Sequence, residues 1–256
     1  MQTVDVVRRG VLGPTEIESL RGWTEEVEAW PAGSHRFGHY AEHTPQGPRL
    51  CRTENVSACH AGFASLVDGV LRECAADAIG EYVIAFKDKV NYKQPGGAGF
   101  SPHQDKVAYP GARRVMSILV AIDDCNVDSG CLWIAGGVDE VLPVDDRGVV
   151  RAGIAATLNW RAAELARGDA VCIDGLAPHY SDANRTNAPR RVLVASYAPA
   201  VEGYDRAGYY ERRSARMRDE TERDGRFRIS TLADFDGTEV ISGTDAGAPD
   251  TACSHG

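Results

Sequence analysis

No stretch of these 256 residues approaches the roughly 18 consecutive apolar residues of a membrane span. The opening segment, MQTVDVVRRGVLG, also lacks the apolar core of a secretory signal, which predicts a cytoplasmic protein with no membrane partner. Paired Cys-x-x-Cys motifs are missing. The seven cysteines (51, 59, 74, 125, 131, 172 and 253) are scattered, which excludes zinc-finger spacing, and in a reducing compartment they remain thiols. Most have apolar neighbours, as Cys172 does in AVCID, and read as small core residues with no nucleophile among them. Positive charge is in deficit, 28 Lys and Arg against 37 Asp and Glu, for a net charge of -9. That balance disfavours nucleic acid and a strongly anionic carrier such as coenzyme A, while leaving room for a local basic pocket. Internal repeats are absent.

What is present, 43% apolar and 25% charged residues, fits one globular domain, placed at residues 1–235. A helix is expected from Pro14 to Ala29, with proline in its first turn, Glu16 and Glu18 at the positive end of its dipole and Pro31 as a stop. Residues 31–50 read as a long loop rich in Gly, Pro, His and aromatics, serving as a lid. His35, His39 and His43 recur there every four residues. Gly38 and the flanking prolines argue against a regular helix and a metal site, leaving a lid histidine that contacts substrate. A second helix is expected over 60–79, where Phe63, Leu66, Val67, Val70, Leu71 and Cys74 repeat at three and four, with Gly80 ending it.

Beyond it the pattern turns to strands: YVIAFKDKVNYK, RRVMSILVAID, GCLWIAG, DAVCIDG and RRVLVASYAP, separated by Gly, Pro, Asp or Asn. Two helices followed by a run of strands predict an α+β domain with a sandwich or jelly-roll core. A charged stretch, 204–228, reads as a solvated surface helix, and residues 240–256 as a disordered tail.

Chemistry concentrates in two segments. GGAGFSPHQDKVAYP holds His103-Gln104-Asp105, and side chains two apart at a strand tip project to one face, where both can bind one metal ion. Alone, the triplet also fits a loop histidine hydrogen-bonded to its neighbour. GDAVCIDGLAPHYSDANRTNAPRR then reads as a strand, a short turn carrying His179, a polar loop and a strand starting at Arg190. Two histidines and one carboxylate form the ligand set of non-haem Fe(II) oxygenases, with open positions for a bidentate 2-oxoacid and O2. Arg190 supplies a guanidinium for the oxoacid's far carboxylate. The same three ligands also suit a zinc hydrolase, or a jelly-roll protein that binds metal without catalysis.

RTEN (Arg52–Asn55), KVNYKQPGGAGFSPHQD, IDDCNVDSGCLWI, GDAV before the distal histidine, and His-x-Ser with the later APR together resemble the phytanoyl-CoA dioxygenase family over about residues 10–200. The resemblance implies a double-stranded β-helix with flanking N-terminal helices, and iron at His103, Asp105 and His179. It implies that Arg190 binds 2-oxoglutarate, that Lys89, Asn91, Ser117 and Ser181 face this cosubstrate, and that Tyr109 lies near substrate. Asp105 favours oxygenation over halogenation, because related halogenases lack the metal carboxylate. Where many members carry Pro-Gly-Ser-His, this chain has Ala135-Gly136-Gly137, so the loop beyond Trp133 is expected to differ, with Trp133 itself either core, the favoured reading, or a pocket wall. The implied reaction is hydroxylation or oxidative cyclisation of a small polar metabolite, as in sugar or antibiotic tailoring, with release of succinate and CO2.

Overall fold

The computed structural model describes residues 6–31, 36–44, 47–224, 229–230 and 238–239. Twelve strands are described: β1 (Val6–Arg8), β2 (Gly38–Thr44), β3 (Gly47–Glu54), β4 (Val83–Lys93), β5 (Phe100–His103), β6 (Met116–Ala121), β7 (Leu132–Ala135), β8 (Trp160–Ala163), β9 (Ala170–Asp174), β10 (His179–Ser181), β11 (Arg190–Pro199) and β12 (Thr238–Glu239). The helices are α1 (Pro14–Glu28), α2 (Ala61–Asp68), α3 (Val70–Ile79), a single turn α4 (Ala152–Ala155) and α5 (Arg206–Asp224). None is long and apolar enough to cross a membrane.

Two antiparallel sheets result, one ordered β1-β9-β6-β11-β4-β3-β2-β12 and one ordered β5-β10-β7-β8. Strand alternation divides their side chains between two cores. On β6, Ile118 and Val120 turn outward with Leu193 and Tyr197 of β11, and Leu20, Phe63, Val67 and Leu71 of the helices cover them. Leu119 and Ala121 turn inward with Val192 and Ile173, meeting Ile134 and Ala163 of the smaller sheet. The fold is therefore a mainly β double-stranded β-helix with helices on one face, as expected.

Three local readings change. The segment 31–50 is mostly a hairpin, because β2 and β3 pair with each other and β3 continues the larger sheet onto β4. Its Gly and Pro content reflects the turn and the sheet edge, where these residues are tolerated. The expected helix 60–79 divides at Gly69, where a side chain would collide with the Ser65 carbonyl. Trp133 lies neither in the core nor in a pocket: it is half-buried on the outer face of the smaller sheet, stacked on Tyr180 with ring centroids 6.0 Å apart. His35 and the segment 240–256 lie outside the described residues.

Candidate metal centre and its cavity

Strand β5 ends on His103 and β10 begins on His179, so the distal histidine opens a strand and does not sit in the preceding turn. Antiparallel pairing sets the two residues opposite each other, with ring centroids 4.3 Å apart. A 3-10 turn over Asp105–Ala108 swings Asp105 to the same side. One ligand atom from each of His103, Asp105 and His179 lies within 4.8 Å of the others, the only such group found among the described residues.

Each imidazole is oriented through its other nitrogen. Nδ1 of His103 donates to the Ser101 carbonyl at 2.7 Å and Nδ1 of His179 to the Ala177 carbonyl at 3.0 Å, since a carbonyl only accepts. Both Nε2 lone pairs are thereby left for a metal. Burial, with His179 adding to it, pushes His103 down to about 3, which keeps its ring neutral. Burial alone would raise Asp105, but His179, His103 and Lys87 hold it below the usual carboxylate range. Ser117 donates to Asp105 Oδ2 at 2.7 Å and touches Ser196 at 3.1 Å, so it steers the carboxylate.

Gln104, between the first two ligands, escaped the sequence reading. It is fully buried, donating to the Glu140 and Leu176 carbonyls at 2.9 and 2.6 Å and accepting from Leu142 N at 2.7 Å. It thereby ties the ligand turn to the loop after β7, the loop that departs from the family pattern.

The three ligands open into a cavity of about 540 Å³. Strand alternation puts Lys87, Lys89 and Asn91 of β4 on its wall, together with Ser117 and Tyr109. Arg190 and Ser181 line a second cavity of about 50 Å³, which shares Asn91, Phe100, Leu119 and Leu132 with the first. Arg190 is buried, donates to the Gly130 carbonyl, and its Nε has no hydrogen-bond partner. Beside it Lys93, unremarked in the sequence, donates to Ser181 Oγ at 2.8 Å and to the Asp182 carbonyl. Burial and then Arg190 push Lys93 down to about 6.

Helix α5 is more than a solvated surface element: Tyr209, Arg212 and Arg213 line the large cavity. Arg213 and Arg52 converge on the buried Glu54, and both donate to the Ile229 carbonyl. Burial would raise Glu54, but Arg213 and Arg52 hold it at about 2. His39 is buried on β2 against Thr53 and Phe37, and His43 is exposed; neither lines the cavity.

Two imidazoles and one carboxylate, each oriented by a second hydrogen bond, suit Fe(II) and leave coordination positions open. Fold and ligands together define a non-haem iron oxygenase built on a double-stranded β-helix. The chain belongs to the phytanoyl-CoA dioxygenase (PhyH) family, whose model matches residues 5–192. Its cofactors are Fe(II) and the cosubstrate 2-oxoglutarate, with O2 as oxidant.

Among curated proteins, the methylphosphonate hydroxylase of Gimesia maris is 38% identical over 231 residues, 88% of each chain. The 2-aminoethylphosphonate dioxygenase of an uncultured bacterium is 33% identical over 222 residues, 84% of this chain and 85% of the relative. Among solved structures, AviO1 from Streptomyces viridochromogenes superposes with TM-score 0.64 at 24% identity, covering 77% of this chain and 90% of that one. EctD from S. alaskensis, with 2-oxoglutarate and 5-hydroxyectoine, gives TM-score 0.66 at 20% identity, covering 78% and 73%. At these identities the structural likenesses concern the fold.

Proposed function

We propose that the protein hydroxylates a C–H bond of a small phosphonate, using 2-oxoglutarate and O2. The observation that carries this reading is similarity over more than four-fifths of the chain to two enzymes that act on such compounds. A small phosphonate is a small polar metabolite, so that expectation narrows, while sugar and antibiotic tailoring give way. Hydroxylation is favoured over ring closure because methylphosphonate has a single carbon and no chain to close.

His103, Asp105 and His179 would hold iron, which with 2-oxoglutarate and O2 supplies the oxidising power and releases succinate and CO2. Ser117 fixes one carboxylate oxygen of Asp105 and so presents the other to the metal. Arg190, with its unsatisfied buried Nε, would bind the distal carboxylate of 2-oxoglutarate beside Ser181 and Lys93. Asn91, which lines both cavities, would lie along the cosubstrate between that end and the metal. On the opposite side Tyr109 and Tyr209 pack on Phe86, at 5.1 and 5.6 Å between ring centroids, and exclude water from the substrate.

The test is succinate formation by the Fe(II)-loaded protein with a panel of methylphosphonate, 2-aminoethylphosphonate and non-phosphonate metabolites, with ³¹P NMR following the substrate. Phosphonate-stimulated turnover, lost in His103→Ala and in Arg190→Ala, is the expected result. Turnover stimulated only by a metabolite without phosphorus would overturn it.

A further inference from the structure

Strand β4 carries an unbalanced pair of cations into the large cavity. Lys87 and Lys89 alternate on it and point to the same face, and both line the space around the metal ligands. Lys87 donates to Tyr109 Oη at 2.9 Å, and its ammonium lies 5.7 and 5.8 Å from the ring centroids of Tyr109 and Tyr209. The Lys89 ammonium, by contrast, has no hydrogen bond or ion pair with a described side chain. The nearby carboxylates make their direct contacts elsewhere, Glu54 with Arg213 and Arg52, Asp88 with Ser57 and Arg206, Asp105 with Ser117, and Glu202 with Arg113, although the charges of Asp105 and Glu54 still reach Lys89.

Burial, then Arg52 and Lys87, push Lys89 well below the ordinary lysine value, so holding both amines here as ammonium groups costs free energy unless a ligand compensates. Neither the fold nor the metal centre requires this cost. Lys89 occupies a wall where its register neighbour on β11 is Val194, and an apolar side chain would pack there. A dianion seated between the two amines would remove it, because two ammonium heads offer point-charge donors to several oxygens at once.

We propose that Lys87 and Lys89 form the cradle for the doubly charged head group of the substrate; this rests on the phosphonate reading. The assignment moves Lys89 from the cosubstrate to the substrate. Arg190 and Lys93 serve the far end of the shared cavity system, so β4 divides its inward residues by task. Lys93 faces 2-oxoglutarate, Asn91 lies between, and Lys89 and Lys87 face the substrate. Tyr109 keeps its expected place near substrate, now as the group that holds the Lys87 amine in position.

The experiment is anaerobic calorimetry on the Fe(II)- and 2-oxoglutarate-loaded protein, with methylphosphonate, methanesulfonate (the same shape with one charge) and a simple phosphate monoester as titrants. Parent protein, Lys87→Met and Lys89→Met are compared, with 2-oxoglutarate affinity and thermal midpoint measured on each. The expected result is methylphosphonate binding that weakens by about tenfold or more in each variant. Methanesulfonate should bind the parent more weakly than methylphosphonate, 2-oxoglutarate affinity should be retained, and the Lys89→Met midpoint should be equal or higher. Undiminished phosphonate binding in both variants overturns the cradle and leaves the phosphonate reading standing. Loss of 2-oxoglutarate affinity in Lys89→Met without loss of phosphonate affinity returns Lys89 to the cosubstrate and also overturns it. Lysine-dependent binding of the phosphate monoester with no binding of methylphosphonate supports the cradle and sinks the phosphonate reading. Binding of neither sinks both.

Discussion

Single residues at the candidate metal centre divide into those that offer it a ligand atom and those that hold these groups still. Gln104 belongs to the second kind, and removing its amide leaves three part-buried backbone groups without their partner. Gln104→Ala is expected to lose about 1–3 kcal/mol of stability and to bind Fe(II) roughly tenfold or more weakly, read by thermal melting and metal titration. A melt that moves with metal affinity unchanged would show that the ligand turn does not depend on this anchor. His39 gives a prediction in pH. Burial holds it down to about 4, against an ordinary value of 6.5, so the unfolded chain binds its proton first on acidification. Stability from this group is complete above about pH 6.5 and falls as the pH drops towards 4, by at most about 3 kcal/mol. His39→Gln should flatten the melting temperature across that window relative to the parent. A parallel pH profile would mean that His39 titrates normally.

Elements act here by setting registers. The β5–β10 pairing places His103 opposite His179, and the alternation of β4 delivers Lys87, Lys89, Asn91 and Lys93 to one face. The connection before β7 is held by a different device. Gly130 has φ +73°, and a Cβ there would meet the Asp182 carbonyl and sit 3.0 Å from Lys93 Nζ. Its own carbonyl accepts from Arg190. Gly130→Ala is therefore expected to destabilise by about 1–2 kcal/mol and to raise the KM for 2-oxoglutarate several-fold while Fe(II) affinity is kept. Unchanged cosubstrate kinetics would show that the Arg190 end adapts to the side chain. Helix α5 also acts as an element, because Arg213 reaches Glu54 of β3 and closes the cavity wall from outside the sheets.

At the scale of the whole molecule, an acidic chain of net charge -9 encloses a cavity rich in cationic side chains. Arg52, Lys87, Lys89, Arg212 and Arg213 line the large cavity, and Lys93 and Arg190 line the small one beside it. Much of this was legible beforehand. Terminal signals marked the first helix, periodicity the 60–79 stretch and β-branched runs between turn residues five of the strands, while the H-x-D triplet with His179 and Arg190 at its offset marked the candidate centre, because ligand chemistry allows few residue types at few spacings. The edge hairpin was not legible: β2 and β3 are rich in glycine, proline and polar residues, and only the neighbouring β4 makes them strands. Nor was the role of α5, since a helix charged all round shows no preferred face until something packs against it. The sequence by itself determined the candidate metal ligands, the fold class and the alternation of β4, which follow from patterns local in the chain. Tertiary structure alone decided that Gln104 is an anchor, that Glu54 is already paired with two arginines, and that Lys87 and Lys89 form no direct ion pair with a described carboxylate. Those facts depend on which distant charges the fold brings together.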